Sequence, residues 1–277
     1  MKKYLNFISE KYKPIMKYYA FDWDDNILNM PTVIHMQHLV NGKWINEDVS
    51  TSKFAEIRNL DTWRDYDESY VEFRDFGPRG KNAFIDDCKI AIQNKDFGPV
   101  WYKFLKTLIK GSIFAIITAR GHEPDTLKEG VHYIIDHILT IDEKNEMISN
   151  LIAFQDMFIP DFDIMKNIDP EILIKAYLDK CDFVGVSSPS FEKKYKENGG
   201  ASNPEKMKIK ALQDFIDKIN TYGEQVDGIV SLGFSDDDVK NVDKVHKYFN
   251  EISSLYNINF NVFDTSNKNN IIKKVIK

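Results

Sequence analysis

Short apolar runs alternate with amphipathic segments along most of the chain, and this alternation limits the possible folds more than any other feature. The runs are rich in β-branched and aromatic residues, as expected of strands buried on both faces. Five runs stand out, at residues 17–21, 112–117, 182–186, 228–232 and 257–263. Helical periodicity precedes three of them, at residues 98–110, 203–219 and 238–252. The pattern predicts an α/β fold with an open, Rossmann-like parallel sheet covered by helices.

Two segments are too long for a minimal α/β unit. Residues 31–96 contain two strand-like stretches around Asn41-Gly42, a pair that is typical of tight hairpins. We predict that this segment is a cap-like element inserted after the first strand. Residues 121–180 have mostly helical patterns and form a second insertion, after the second strand. Because no repeat or linker interrupts the chain, residues 1–277 are predicted to form a single domain.

The composition restricts the classes of function. The chain is 43% hydrophobic and 29% charged, which is ordinary for a globular protein. Its net charge of −6 argues against a uniformly basic surface for nucleic acid or anionic membranes. Cys88 and Cys181, the only two cysteines, have neither a disulfide framework nor zinc-site spacing. Since no apolar run is long enough to span a bilayer, we expect a cytoplasmic protein without a membrane partner.

Acidic residues cluster at the ends of two of the candidate strands. In a parallel sheet both clusters would lie at the same edge, where several like charges are costly without a cation. Mg²⁺ binds such oxygen ligands together with water and substrate phosphate. The sequence therefore predicts a magnesium site at this edge. The clustered residues are Asp22, Asp24, Asp25 and Asn26 after the first run, and Asp236, Asp237 and Asp238 after the fourth.

Other polar residues near strand ends suit a phosphate group. Thr118 follows the second run, and its hydroxyl and the nearby backbone N–H groups could bind a phosphate oxygen. Arg120 could bind substrate phosphate, or it could pair with the surplus acids. Ser187 follows the third run and either lines the pocket or belongs to a turn. Lys206 and Lys208, early in a predicted helix, could neutralise both a carboxylate and a phosphoryl group.

Taken in order, these motifs resemble those of the haloacid dehalogenase (HAD) superfamily of phosphohydrolases. The order is D-x-D-x-N, then T-x-R, a lysine on a helix, and D-D, between residue 17 and about residue 242. The resemblance implies five core strands in the order 5-4-1-2-3. It also implies a Mg²⁺-dependent phosphatase that hydrolyses a phosphate monoester through an aspartyl-phosphate.

The resemblance also implies roles for individual residues. Asp22 would be the nucleophile and a metal ligand, and Asp24 the general acid and base, with its backbone carbonyl on the metal. Thr118 would hydrogen-bond the phosphoryl group, and Lys208, or else Lys206, would be the motif lysine. It further implies metal binding by Asp236 and Asp237, with the direct ligand left open. Apart from the resemblance, Arg120, Asn26 and Ser187 are our candidates for substrate binding.

The expected substrate is a small phosphorylated metabolite, with a nucleotide as one candidate. The end of a polynucleotide ranks second, and a non-catalytic binding module on the same fold is a third alternative. The first two differ in whether basic residues of the insertion form one open groove. The residues concerned are Lys53, Arg58, Arg74, Arg79 and Lys81.

Overall fold

The computed structural model describes residues 15–80, 82–153, 169–196, 204–225 and 228–276. Strands and helices alternate through these ranges. The strands are β1 (Ile15–Phe21), β2 (Ile34–Val40), β3 (Lys43–Val49), β4 (Trp63–Arg64), β5 (Phe114–Thr118), β6 (Asp182–Gly185), β7 (Ile229–Asp236), β8 (Ile258–Asp264) and β9 (Ile272–Val275). The α-helices are α1 (Thr51–Ile57), α2 (Ala83–Asn94), α3 (Trp101–Ile109), α4 (Pro124–His137), α5 (Ile141–Ala153), α6 (Pro170–Lys180), α7 (Pro189–Lys196), α8 (Pro204–Gln225) and α9 (Val239–Ile252).

The main sheet confirms the general α/β class. Its six strands have the order β6-β5-β1-β7-β8-β9, and every pairing is parallel except that of β8 with β9. The prediction of a five-stranded sheet in the order 5-4-1-2-3 was therefore wrong. The sheet has a sixth strand, β9, which changes both the strand count and the order of the whole sheet. Residues 272–275 read Ile-Lys-Lys-Val, which is too short and too charged to be recognised as a strand. Lysines are common on such edge strands, where they discourage pairing with other chains.

The centre of the sheet brings the two acidic clusters together. β1 lies between β5 and β7, and Phe21 at its end is in register with Ser235. The Asp22 N–H donates to the Ser235 carbonyl at 3.0 Å. β7 continues to Asp236, four residues beyond the predicted run, because it pairs with β1 as far as Ser235 and with β8 as far as Asp236.

A second, antiparallel sheet of three strands, β3-β2-β4, lies within the first insertion. The predicted hairpin is confirmed, since β2 and β3 pair across Asn41 and Gly42. These residues have φ angles of 50° and 77°, the positive values that a tight hairpin turn requires. The small sheet has its own apolar cluster, which includes Ile34 and Met36. Helix α2 falls within the predicted 31–96 segment, yet it packs into the main core.

All five residues of β5 are buried, although successive side chains point to opposite faces of the sheet. Both faces of the main sheet are therefore covered at this strand. α8 and α9 contact each other and β7, while α4 packs on β6 and α2. The second insertion contributes α4, α5 and α6, and its residues 154–168 lie outside the described part. Residue 203, the first of the predicted helical segment 203–219, also lies outside it. Across the described ranges, we find no helix with both the length and the apolar character to cross a membrane.

Candidate functional site

Three carboxylates and one lysine meet at the carboxyl ends of β1 and β7. Lys208, from α8, donates to Asp22 Oδ1 and to Asp236 Oδ2, each at 2.8 Å. One carboxylate oxygen from each of Asp22, Asp236 and Asp237 lies within 4.8 Å of the others. Lys206 instead lines a different surface pocket, beside Tyr195. The structure therefore places Lys208, and not Lys206, in the acidic cluster.

Burial makes this cluster electrostatically costly. It raises the pKa of Asp22 to about 8, an effect that Lys208 opposes and that Asp236 and Asp24 increase. Burial, with Asp236 and Asp22, likewise raises the pKa of Asp237 to about 9. Burial would lower the pKa of Lys208, but Asp22 and Asp236 outweigh it and hold that pKa above its usual value. Lys208 is therefore charged. Its single positive charge does not balance the three acids, which need protons or a further cation to offset the rest of their negative charge.

The donor set of the cluster fits a divalent cation such as Mg²⁺. Asp22, Asp236 and Asp237 offer hard oxygen ligands within one short span. The three carboxylates outnumber the single ammonium of Lys208 by two charges, so a divalent ion would balance the cluster. Without an ion, the raised pKa values of Asp22 and Asp237 favour their protonated forms. The arrangement also leaves both Asp236 and Asp237 able to supply a direct ligand.

Asp24, two residues after Asp22, is held by an arginine. Arg120 Nε donates to Asp24 Oδ2 at 2.8 Å, and Arg120 Nη2 donates to Asp24 Oδ1 at 2.6 Å. Arg120 is buried, and its guanidinium lies over the ring of Phe73, 4.5 Å from the centroid. Of the two roles considered for Arg120, the structure shows the pairing with a surplus acid.

The Asp24–Arg120 pair continues into a longer chain of buried polar groups. Arg120 Nη2 also donates to Thr32 Oγ1 at 2.9 Å, and Thr32 donates to Asp87. Arg79 binds Asp87 through two nitrogens, at 2.7 and 2.8 Å, and donates to Glu72 as well. This network joins the loop after β1, the loop after β5, α2 and the insertion. Three of its links join residues that are 55 to 96 positions apart, and no local sequence pattern indicates those pairings.

Asn26 lies beneath the cavity and supports it. Its amide nitrogen donates to the Asp22 carbonyl at 3.1 Å and to the Ser235 side chain at 3.0 Å. Its amide oxygen accepts from Thr265 Oγ1 at 2.8 Å. The side chain is fully buried and does not line the cavity, so this position gives it no contact with a bound molecule. The predicted role in substrate binding is replaced by one in fixing the β1 loop.

The other acids of the two clusters have structural partners. Asp238 caps α9 by accepting from the Lys240 N–H, and it pairs with Arg58 at 2.9 Å. Asp25 has a φ of 53° and accepts from Thr51 Oγ1 at 2.6 Å. Burial raises the pKa of Asp25, while the hydrogen bond from Thr51 opposes that rise. Both residues connect the loops of the main sheet with the insertion.

A cavity of about 450 Å³ opens above the acidic cluster. Thr118, the last residue of β5, and Ser187, in the loop after β6, both line it, as predicted for residues at this sheet edge. The opposite wall comes from the insertion. The sequence indicated Arg58 and Arg74 only as possible groove residues, and it predicted no aromatic wall, because an aromatic run such as that near residues 63–76 is also typical of core packing. The wall residues include Ile34, Phe54, Arg58, Tyr70, Phe73 and Arg74.

We compared the chain with protein-family models, with curated proteins and with solved structures, and found no match among them.

Proposed function

We propose that the protein is a Mg²⁺-dependent phosphatase of the HAD type that hydrolyses a phosphate monoester. The observation that carries this proposal is the contact of Lys208 with both Asp22 and Asp236, at 2.8 Å each, beside Asp237. A lysine and three acids at the carboxyl ends of adjacent parallel strands provide a nucleophile, a cation site and a positive charge for a phosphoryl group. Thr118 adds a hydroxyl at the same edge.

In this proposal Asp22 attacks phosphorus, and the bond from phosphorus to the leaving oxygen breaks. The product is an aspartyl-phosphate on Asp22, which water then hydrolyses to inorganic phosphate. Lys208 opposes the rise that burial causes in the pKa of Asp22, which favours the ionised nucleophile, and it neutralises charge on the phosphoryl oxygens. Mg²⁺ held by Asp22, Asp236 and Asp237 would supply further neutralisation of phosphoryl charge.

Asp24 is the proposed general acid for the leaving oxygen and the general base for the attacking water. Both of its oxygens accept from Arg120, so Asp24 can carry a proton only once this pair loosens. Substrate binding beside Arg120 would compete for the guanidinium and release one Asp24 oxygen. The proposal therefore assigns Arg120 a part in controlling Asp24 as well as in holding it.

The arrangement of basic residues favours a small substrate over a polynucleotide. Lys53 pairs with Glu56, Arg58 with Asp238, and Arg79 with both Asp87 and Glu72. The described part of the chain therefore presents no continuous groove of free positive charge for a phosphate backbone. Lys81, the fifth residue of the predicted groove, lies outside that part. A phosphorylated metabolite or nucleotide that fits the cavity remains the proposed substrate.

The first experiment is a phosphate-release assay with Mg²⁺ and a panel of phosphate esters. The panel contains para-nitrophenyl phosphate, mononucleotides, sugar phosphates and oligonucleotides with terminal phosphates. Asp22→Asn should lower turnover at least about 1,000-fold because it removes the nucleophile. Asp86→Asn, an exposed carboxylate on α2, is the matched control and should retain activity.

A melting experiment separates the alternatives if no phosphate is released. Mg²⁺ should raise the melting temperature of the native protein by binding the folded state, and Asp237→Asn should reduce the shift. A shift without turnover on any ester would support the non-catalytic binding module. Release from oligonucleotides alone, falling steeply with salt, would favour the polynucleotide alternative. Absence of both release and a melting shift would contradict the proposed function.

A further inference from the structure

The cavity has two chemically different sides. Its inner side is formed by the acidic cluster, Lys208 and Thr118. At about 450 Å³ it falls in the range of small-molecule sites, roughly 300–1,000 Å³, and a phosphate group alone would leave most of it unfilled. The outer side, from the insertion, must therefore contact the rest of the substrate.

Aromatic rings dominate the outer side. Phe54, Tyr70 and Phe73 all line the cavity, and all three are half-buried against the apolar cluster of the small sheet. Phe54 and Tyr70 meet edge to face, with ring centroids 6.0 Å apart. Packing against the small sheet limits the motion of these rings and leaves part of each surface toward the cavity. Such surfaces favour a planar, apolar group over a flexible polyol.

Arg74 lines the same cavity and has a fixed backbone. It forms a bridge with Gly121, and the Gly121 N–H donates to the Phe73 carbonyl at 2.9 Å. A Cβ on Gly121 would lie 3.2 Å from Arg74 Cγ, so the arginine packs closely on the loop after β5. Arg74 is thus attached to the loop that follows Thr118, and it does not depend on the insertion alone for its position.

Arg74 also differs in its charge environment from the other arginines near the site. Arg58, Arg79 and Arg120 each pair with a carboxylate. Within the ranges that the structure describes, Arg74 makes no ion pair, and its guanidinium lies 5.9 Å from the ring centroid of Phe76. Arg74 lines both this cavity and a neighbouring pocket beside Phe76, and a guanidinium without an acidic partner there is available to an anionic group of a bound molecule.

We propose that the substrate is a phosphate monoester that also bears a planar aromatic group and a second anionic group, as a nucleoside bisphosphate does. The aromatic group contacts Phe54, Tyr70 and Phe73, and the second anion binds Arg74 while the scissile phosphate lies beside Asp22. This inference rests on the proposed phosphatase activity, which sets the position of the scissile group.

Three compounds test the two parts of the inference separately. Adenosine 5′-monophosphate and ribose 5-phosphate differ by the base, and we expect kcat/KM to be about 10-fold higher for the nucleotide. Adenosine 3′,5′-bisphosphate adds the second anion, and we expect a further gain of about 10- to 100-fold.

Substitutions test whether Arg74 causes the preference for the second phosphate and whether Phe54 causes the preference for the base. Arg74→Gln should remove most of the preference for the bisphosphate over the monophosphate, while Arg74→Lys should restore part of that preference. Phe54→Ala should reduce the preference for the base. Arg64→Gln and Trp44→Ala are the matched controls, since both lie on the small sheet and neither lines the cavity.

Several results would overturn the inference while leaving the phosphatase proposal intact. One is equal turnover of ribose 5-phosphate and the two nucleotides, and another is an equal loss on all three compounds in Arg74→Gln. If neither these compounds nor any ester of the wider panel is hydrolysed, the proposed phosphatase activity fails, and calorimetric affinities of the native protein for the same three compounds decide the inference. The same order of affinities would support it, and equal or absent binding would contradict it.

Discussion

Lys208 contacts two carboxylates at once, and this shared contact makes it the most sensitive single position of the site. Its side chain is only 5% exposed, and those of Asp22 and Asp236 are 8% and 0% exposed. Two buried acids that lose their counter-charge must take up protons or a cation. The consequences should therefore appear in stability as well as in activity.

Lys208→Met should lower turnover at least about 100-fold and destabilise the metal-free protein by about 3–5 kcal/mol. Mg²⁺ should recover part of that stability, since it replaces the lost positive charge. Urea unfolding with and without Mg²⁺ measures both effects. Lys210→Met, on the same helix with 45% of its side chain exposed, should change stability by less than about 0.5 kcal/mol. Equal effects of the two substitutions would contradict this assignment.

His122 predicts a pH dependence of stability. The side chain is fully buried, and neither ring nitrogen has a hydrogen-bond partner in the described structure. Burial, with Arg120 and Arg79, lowers the pKa of His122 to about 2. Below about pH 6.5 the unfolded state therefore binds a proton that the folded state excludes. The contribution of His122 to the unfolding free energy is complete above pH 6.5 and declines as the pH falls toward 2.

The decline should approach about 1.4 kcal/mol per pH unit for this one group. His122→Phe keeps an aromatic ring against Phe84 and removes the titration, so its stability should fall less steeply below pH 6.5. Urea unfolding of both proteins at pH 7, 6 and 5 gives the two slopes. Identical slopes would show that His122 does not titrate on unfolding as described.

At the scale of elements, the site depends on how closely the segment before α3 packs on the loop after β1. The Gly98 N–H donates to the Ile27 carbonyl at 2.8 Å, and a Cβ at Gly98 would lie 2.2 Å from the Asn26 carbonyl oxygen. Any side chain at this position must displace the loop that carries Asp22 and Asp24. The position of Asp22, the proposed nucleophile, thus depends on a residue that contributes no chemistry.

Gly98→Ala should cost about 2–3 kcal/mol by overpacking and should weaken the stabilisation by Mg²⁺. Gly42→Ala is the comparison. Gly42 has a φ of 77°, and a Cβ added there would have no atom within 4 Å, so we expect about 1 kcal/mol of backbone strain and an unchanged Mg²⁺ response. Urea unfolding and Mg²⁺-dependent melting distinguish the two variants. A normal Mg²⁺ response in Gly98→Ala would contradict the proposed dependence.

At the scale of the whole molecule, two apolar clusters are connected by the polar network around Arg79. Arg79 joins Glu72, near the small sheet, with Asp87 on α2 of the main core. The acids are buried, with side chains 9% and 3% exposed, whereas that of Arg79 is 41% exposed. The insertion is therefore held over the cavity by charge pairing as well as by apolar contacts.

Arg79→Gln should leave Glu72 and Asp87 without their counter-charge and cost about 1–3 kcal/mol, since partial exposure of the arginine reduces the loss. Amide hydrogen exchange should accelerate more in β2 and β3 than in β5 and β6, because the insertion loses its attachment first. Arg64→Gln is the matched control, because the Arg64 guanidinium lies over the ring of Trp44 on the small sheet. Uniform acceleration over both sheets would mean that the network does not specifically hold the insertion.

The sequence by itself determined the elements whose signals are local. Apolar runs and helical periodicity predicted the α/β class, and Asn41-Gly42 predicted the hairpin, because burial and turn conformation act over a few residues. The residue types at the strand ends also indicated where Asp22 and Asp236 would meet, since parallel strands place their carboxyl ends at one edge.

Only the tertiary structure decided which groups pair within the site. Arg120 lies 96 residues from Asp24, and both interpretations of its role were consistent with the sequence. The choice of Lys208 over Lys206 required the direction of α8 relative to β1, and the aromatic wall required the position of the small sheet. β9 was missed because an edge strand is stabilised by backbone pairing with β8, which leaves little trace in side-chain pattern. Such contacts depend on distances between remote segments, and a local pattern contains no information about them.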